Sequence, residues 1–135
     1  MRPDGDTLGS AMALSRALFM LKIRNEVVNE GEIPEKFLFL DGMRGIRREP
    51  SMTDADAYIC VDSSDEARLG AAQTAFLAGA RKGKVTVNID HHVSNTRFCR
   101  YNFVRPRASN CENIAELISL LGVRPDAVMA GYLLT

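Results

Sequence analysis

Both histidines of this 135-residue chain stand side by side in NIDHHVSN, residues 88–95, directly behind an aspartate. The preceding run VTVNI is apolar and β-branched, which is typical of a strand. Asp62 ends a second apolar run, AYICV, and Asp4 and Asp6 flank a glycine just before a helical pattern. Aspartate and imidazole groups bind divalent cations and exchange protons with substrates. The sequence therefore predicts a metal or acid–base site, provided that the fold brings these residues together.

Six side chains are expected to meet at one edge of a sheet, because ligands of open α/β sheets bind outside the carboxyl ends of the strands. A lone Asp-Gly-Asp triplet is usually a turn, but crowded carboxylates repel one another and raise each other's pKa unless a cation neutralises them. Oxygen ligands with an imidazole and no thiolate suit manganese or magnesium, and two such ions activate water for attack on a phosphoryl group. The six residues are Asp4, Asp6, Asp62, Asp90, His91 and His92.

Strand and helix patterns alternate along the chain and must position these side chains. The predicted strands cover residues 57–62 and 85–90, with shorter candidates at 27–28 and 37–42. The predicted helices cover residues 8–22 with Thr7 as the cap, 63–84 ended by Gly83, 110–122 ended by Gly122, and a last one beginning near Pro125. This alternation predicts one α/β domain in three layers, a parallel sheet with helices on both faces.

Composition limits the classes of function. The chain is 46% hydrophobic, and 17 basic residues balance 17 acidic ones, so it lacks the positive charge that holds long duplex nucleic acid. No apolar run is long enough to cross a bilayer and no charged leader precedes an apolar core, so we expect a cytoplasmic chain without a membrane partner. Cys60, Cys99 and Cys111 are odd in number and lack metal or redox spacing, which favours reduced thiols.

Three segments of the sequence resemble a known family. RPDGDTLGS, VDSSDEARLG and NIDHHVSN are similar, in this order, to the first three motifs of the DHH phosphoesterase superfamily, named for the triplet that is Asp90-His91-His92 here. The resemblance covers essentially the whole chain. It is strongest to the bacterial oligoribonuclease/pAp phosphatase branch, whose linking segment is similar to VNEGEIPEKFLFLDG.

The resemblance implies a site for two Mn²⁺ ions, with Mg²⁺ as the alternative. Asp4 would bind one ion, and Asp6 and His91 would bind the other. Asp62 would bridge both ions. His92 would contact the substrate phosphate, while Asp90 would orient the two histidines as a hydrogen-bond acceptor.

The activity implied is hydrolysis of short oligoribonucleotides or of 3′-phosphoadenosine 5′-phosphate by water activated at two metals. Within the superfamily, a cyclic dinucleotide phosphodiesterase and an inorganic pyrophosphatase are the alternatives. A nucleotide-binding DHH module without catalysis belongs to another class, and a receiver-type phosphoacceptor domain would not need paired histidines. The resemblance is also compatible with a homodimer.

The family pattern contains features that this sequence lacks. It places a histidine four residues before Asp4, a strand just upstream, a fourth motif with a metal-binding aspartate beyond Thr135, and a C-terminal substrate-binding domain. We therefore expect residues 1–135 to form a partial N-terminal catalytic domain without its first strand. Alone, this piece is expected to bind manganese weakly and to hydrolyse little.

Other residues have both structural and functional interpretations. Residues 63–65 either cap a helix or reach a phosphate, and Asn95 and Arg97 either contact the substrate backbone or are solvated. Residues 106–110 precede a helix whose N–H groups can receive an anion, and Cys111 has no neighbouring base in the sequence that would make it a nucleophile. A basic loop that contains Arg44, Arg47 and Arg48 either attracts phosphates or is only solvated.

Overall fold

The computed structural model describes residues 3–135. It confirms the three-layer α/β architecture, with four helices and three strands in the described chain. Short 3₁₀ turns connect them at Glu35–Phe37, Met43–Gly45 and Glu66–Ala72. The helices and strands are α1 (Gly5–Met20), β1 (Ala57–Val61), α2 (Gln73–Arg81), β2 (Val85–Asp90), β3 (Tyr101–Val104), α3 (Asn110–Leu120) and α4 (Ala127–Leu133).

The three strands form a parallel sheet in the order β1-β2-β3. Val61 is paired with Ile89, and Asp90 with Val104, so all three carboxyl ends lie at the same edge. The central strand β2 ends in three buried residues. β1 is an edge strand of this sheet, and its Ile59 is 39% exposed, although an apolar run such as AYICV is typical of a parallel strand buried on both faces.

Each face of the sheet carries its own apolar core. Helices α1, α3 and α4 cover one face, where Ile89 and Ile114 are buried in the larger core. Helix α2 covers the other face, where Phe76 packs edge-on against Tyr58 with ring centroids 6.3 Å apart. Alternate residues of a strand point to opposite faces, which is why β1 contributes Cys60 to the smaller core and Val61 to the larger one.

The starts of two helices differ from the prediction. Asp4 caps α1 by accepting a hydrogen bond from the Thr7 backbone N–H at 2.9 Å, so Thr7 is not the cap. Helix α4 begins after the cap Asp126, which accepts from the Met129 backbone N–H at 2.9 Å, and Pro125 precedes that cap. Both caps are aspartates, as expected from the preference of helix N-termini for short acceptors.

The segment 63–84 is not one helix. Gly70 has φ 52° and ψ −132°, which separates the 3₁₀ turns of Glu66–Ala72 from α2. Asp65 stands at the N-cap position of these 3₁₀ turns, as predicted for residues 63–65, but its side chain accepts no capping hydrogen bond. The predicted glycine stops are correct, because Gly83 and Gly122 have positive φ values just beyond α2 and α3.

The smaller sequence signals were poor guides. Strand β3 was not predicted, whereas residues 27–28 form only an isolated bridge from Val28 to Arg47. Residues 37–42 form turns rather than a strand. The three cysteines are free and buried. Within residues 3–135, no helix combines the length and the apolar character that a membrane span requires.

Candidate metal centre

The fold brings the six predicted site residues to one edge of the sheet. Asp62 follows β1, Asp90 ends β2, and the two histidines come next. Each of Asp62, Asp90, His91 and His92 offers a ligand atom within 4.8 Å of the others. Asp4, the N-cap of α1, and Asp6, in the first turn of α1, also lie at this edge, as the next contacts show.

Asp62 is the central carboxylate of the site. Its backbone adopts a left-handed conformation, φ 55°, immediately after β1. Oδ2 accepts a hydrogen bond from the Thr7 hydroxyl at 2.6 Å, but the buried Oδ1 has no hydrogen-bond partner in the described chain. Burial, with the nearby charges of Asp6 and Asp4, raises the pKa of Asp62. An orphaned, buried carboxylate oxygen of this kind calls for a cation or a proton.

His91 faces two of the carboxylates through a lone pair. Its Nδ1 lies 3.1 Å from the Arg107 carbonyl oxygen, which can only accept, so Nδ1 carries the proton. Nε2 therefore points its lone pair at Asp62 Oδ1, 3.4 Å away, and at Asp6 Oδ2, 3.5 Å away. Burial would lower the pKa of His91, but the Arg107 carbonyl and the carboxylates of Asp6 and Asp62 outweigh burial and raise it.

Asp6 is anchored by a different helix from its own. Its two oxygens accept the backbone N–H groups of Asn110 and Cys111 at 2.7 and 2.9 Å. These are free N–H groups in the first turn of α3, where an anion is favoured. The anion that the sequence predicted for this helix start is thus Asp6 itself, which the contact fixes toward His91.

Asp4 joins the site through Thr7. The Thr7 hydroxyl lies 3.0 Å from Asp4 Oδ1 and 2.6 Å from Asp62 Oδ2. A hydroxyl has one proton to donate, and the shorter contact assigns it to Asp62. Asp4 is exposed, so its carboxylate has open sites on the solvent side of the edge.

Asp90 orients only one of the two histidines through its side chain. Its Oδ1 lies 2.7 Å from His92 Nδ1, so His92 donates this proton and leaves Nε2 free. The ring of His91 is held by the Arg107 carbonyl instead, which corrects the expectation that Asp90 orients both rings. Burial acts to raise the pKa of Asp90, but hydrogen bonds from Asn95 and His92 hold it below its usual range.

The donor set fits a divalent cation. The Nε2 lone pair of His91 lies 3.4 Å from Asp62 Oδ1 and 3.5 Å from Asp6 Oδ2, with no proton between these atoms when His91 is neutral. Ligands at right angles around an ion, each about 2.1 Å from it, lie about 3 Å apart, which is close to these separations. Oxygen with one imidazole suits manganese or magnesium.

Cys111 and two arginines of the basic loop make contacts that explain them without a role in catalysis. Burial, followed by the charge of Asp6, raises the pKa of the Cys111 thiol to about 12, so it is not a nucleophile at neutral pH. Arg47 pairs with Glu26 at 3.4 Å and Arg48 with Glu32 at 3.5 Å, which offsets part of the charge of the basic loop.

Several residues of the site had no signal in the sequence. Thr7 links two carboxylates, and Arg107 contributes a backbone carbonyl that any residue type would supply. Asn88 is a partial exception, because an amide in the middle of a buried strand indicates a polar network. Its Oδ1 accepts from Asn95 at 2.7 Å, behind the DHH triplet.

Known proteins show similarity to this chain over nearly its whole length. Residues 1–133 match the DHH family, N-terminal domain. The bifunctional oligoribonuclease and PAP phosphatase NrnA of Thermus thermophilus is 32% identical over 134 residues, which cover 98% of this chain and 39% of that protein. The crystal structure of an exopolyphosphatase-related protein from Bacteroides fragilis has a similar fold, with a TM-score of 0.76 and 23% identity over 89% of this chain and 37% of that chain. The chain therefore spans about two fifths of the length of these relatives.

Proposed function

The chain belongs to the DHH family, and from this premise we propose that it acts as a manganese-dependent phosphoesterase on short oligoribonucleotides and 3′-phosphoadenosine 5′-phosphate. The family and the Thermus thermophilus relative support phosphoester hydrolysis, and the two activities in the name of that relative motivate the two substrates. The geometry of the sheet edge supports a metal-dependent reaction.

One observation carries the proposal. The buried, unpartnered Oδ1 of Asp62 faces the Nε2 lone pair of His91, and Asp6 Oδ2 lies 3.5 Å from the same imidazole nitrogen. Without a cation, burial and nearby carboxylates disfavour the charge on Asp62. A purely structural cluster would instead satisfy these atoms with hydrogen-bond donors.

We assign metal ligation to four residues. Asp6 and His91 would hold one ion and Asp4 the other, with Asp62 between them. The contacts of Asp6 with α3 and of His91 with Arg107 support this assignment, because each fixes a ligand from behind. Thr7 would hold the Asp4 and Asp62 carboxylates at a set separation.

Two bound ions would lower the pKa of a bound water and neutralise charge on the phosphoryl oxygens. The chain's own contribution to the substrate would come from His92. Its Nδ1 proton is committed to Asp90 at 2.7 Å, so Nε2 is the atom available to a phosphate oxygen when the ring is protonated. The Asp90 carboxylate would stabilise the imidazolium that makes this contact.

The proposal is tested by hydrolysis assays with added Mn²⁺. Because residues 1–135 alone are expected to hydrolyse little, the assay uses a protein that joins them to the family's C-terminal substrate-binding domain. We expect it to release phosphate from 3′-phosphoadenosine 5′-phosphate and mononucleotides from di- to pentaribonucleotides, with D62A and H91A at least about a hundredfold slower. D54A is the control, because Asp54 is 72% exposed and, within residues 3–135, pairs with Arg24 alone. Wild-type rates in D62A and H91A would contradict the ligand assignment.

The same assay separates the alternatives. Faster turnover of a cyclic dinucleotide or of inorganic pyrophosphate would place the chain in another branch of the superfamily. Tight Mn²⁺ and nucleotide binding without turnover would favour a binding module.

A further inference from the structure

Asn95 directs its amide into the protein rather than toward a substrate. Nδ2 lies 2.5 Å from Asp90 Oδ2, 2.7 Å from Asn88 Oδ1 and 3.1 Å from the Ser63 carbonyl oxygen. An amide has two protons to donate, and three internal acceptors compete for them. Asn95 is therefore not free to contact the phosphate backbone of a substrate, although its position three residues after His92 suggested that role.

The Asp90 carboxylate depends on this amide. Asp90 is fully buried, and a buried carboxylate is costly unless hydrogen-bond donors surround it. Its two oxygens receive one side-chain donor each, Asn95 on Oδ2 and His92 Nδ1 on Oδ1. The His91 backbone N–H also donates to this carboxylate. Removal of the Asn95 donor would therefore take away one of three hydrogen bonds and allow the carboxyl group to rotate.

We propose that Asn95 is a positioning residue, which fixes Asp90 and through it holds His92 in the Nδ1–H form with Nε2 facing the site. The inference rests on the proposed function, in which His92 Nε2 contacts the substrate phosphate. Asn95 also ties the chain just after Asp62 to the DHH triplet through the Ser63 carbonyl. Asn95 thus links the carboxyl end of β1 to that of β2.

A turn-forming role alone would also explain an asparagine at this position. Asn95 Oδ1 accepts the Arg97 backbone N–H at 2.7 Å, and Arg97 has a left-handed φ of 54°. The two roles use different atoms, Oδ1 for the turn and Nδ2 for Asp90. The state of the His92 ring distinguishes them, because a turn defect alone does not change which imidazole nitrogen carries the proton.

The first test uses the fact that the chain has only two histidines. Spectra of ¹⁵N-histidine-labelled protein without metal, at a pH where both rings are neutral, report which nitrogen of each ring is protonated. We expect the Nδ1–H form for both rings in the wild type and, in N95A, a shift of His92 to the Nε2–H form that free imidazole prefers. His91 is the internal reference, since the Arg107 carbonyl holds it independently.

N102A is the matched control. Asn102 lies on the neighbouring strand β3 and donates its amide to the Cys99 carbonyl at 2.6 Å, and its side chain makes no hydrogen bond to the triplet in the described chain. We expect N102A to leave the His92 ring in its wild-type form. A folded N95A variant whose His92 spectrum equals that of the wild type would overturn the proposal.

A measurement on the wild-type protein covers the case in which N95A fails to fold. The side-chain amide protons of Asn95 should exchange with solvent at least about tenfold more slowly than those of Asn29, whose side chain, among the described residues, only accepts a hydrogen bond from Gly31. Equal exchange rates would contradict an internal hydrogen-bonded amide.

The kinetic arm measures Mn²⁺-dependent hydrolysis of 3′-phosphoadenosine 5′-phosphate by the folded variants. We expect kcat of N95A to fall about 10- to 100-fold, the usual cost of losing an outer hydrogen-bond partner, while its Mn²⁺ affinity changes less than threefold. A metal affinity that falls in parallel with kcat would refute a role through His92. If the wild-type protein shows no hydrolysis, the proposed function is wrong, and the ring spectra alone then decide the role of Asn95.

Discussion

Asp62 illustrates at the residue scale how a functional position costs stability. Its pKa is raised by burial and by the neighbouring carboxylates, so the folded chain disfavours the ionised form that metal binding needs. A carboxyl group whose pKa is higher in the folded than in the unfolded state is harder to ionise in the folded state. The Asp62 charge therefore works against folding at neutral pH in the absence of metal.

We predict that D62N has opposite effects on stability and metal binding. The neutral amide removes the buried charge and can donate to His91 Nε2. The free energy of unfolding of metal-free D62N should therefore rise by about 0.5–2 kcal/mol, which moves its urea midpoint to higher concentration. Its Mn²⁺ affinity should fall at least about a hundredfold. Urea unfolding and calorimetric titration measure the two effects. D56N is the control, because the Asp56 side chain is 99% exposed, and a less stable D62N would contradict the electrostatic argument.

At the scale of elements, periodic segments were predictable and tertiary choices were not. Helix α1 and strand β2 have strong apolar patterns: β2 has the predicted bounds, and α1 covers residues 5–20 instead of the predicted 8–22. Strand β3 has only four residues, with polar Asn102 in the middle, which is too short for a strand signal. Asp4, Asp6 and Thr7 are all good caps, and the choice among them depends on distant partners, since α3 takes Asp6 and Asp62 takes the Thr7 hydroxyl.

In the site, likewise, the sequence indicated which side chains come together but not which backbone groups orient them. The sequence grouped the aspartates and histidines correctly at one edge because parallel strands share it. It could not show that a backbone carbonyl, at Arg107, orients His91, because every residue carries one. It also could not show that Asn95 points inward, since that depends on the fold of a loop.

The contact of α1 with α4 depends on a glycine. A Cβ at Gly9 would lie 2.3 Å from the Tyr132 carbonyl oxygen, so a methyl group forces the two helices apart. We predict that G9A destabilises the fold by about 1–3 kcal/mol, the usual cost of overpacking. G45A is the control, because no atom lies within 4 Å of the added Cβ. Thermal unfolding of both variants measures the difference, and equal stabilities would contradict the close approach.

The loop between β3 and α3 is held by Glu116. Its carboxylate accepts hydrogen bonds from Arg105 and Arg107, and the carbonyl of Arg107 orients His91. We predict that E116A weakens Mn²⁺ binding by up to about fivefold, because partly exposed ion pairs are worth about 1 kcal/mol or less. Calorimetric titration checks this. E112A is the control, since Glu112 lies 3.8 Å from Arg107, and an equal loss in both variants would contradict the role of Glu116.

At the scale of the whole molecule, the site depends on distant contacts that hold α1. Arg16 of α1 donates to both oxygens of Asp126 at 2.8 Å, and Asp126 also caps α4. Tyr132 of α4 donates its hydroxyl proton to the Asp41 carbonyl at 2.5 Å. Residues from both halves of the chain thus fix the helix whose first turn carries Asp4 and Asp6, and global stability and the geometry of the site are linked.

This link predicts how stability depends on pH. The hydrogen bond from Arg16, with that from the Met129 backbone, lowers the pKa of Asp126 from 3.8 to about 2. Between these two values the unfolded chain binds more protons than the folded chain, so stability rises with pH there. The contribution is fully present above about pH 4 and is lost as the pH falls toward about 2.

We therefore predict that D126N lowers the midpoint of urea unfolding at pH 6 and that the difference from the wild type shrinks as the pH falls to 3. Asparagine keeps an oxygen for the Met129 N–H, so this variant removes the ion pair with Arg16 and not the cap. D54N is the matched control, because the Arg24–Asp54 pair has the same chemistry with both side chains more than 70% exposed. A difference between wild type and D126N that stays constant from pH 6 to 3 would show that the ion pair does not couple α1 to α4.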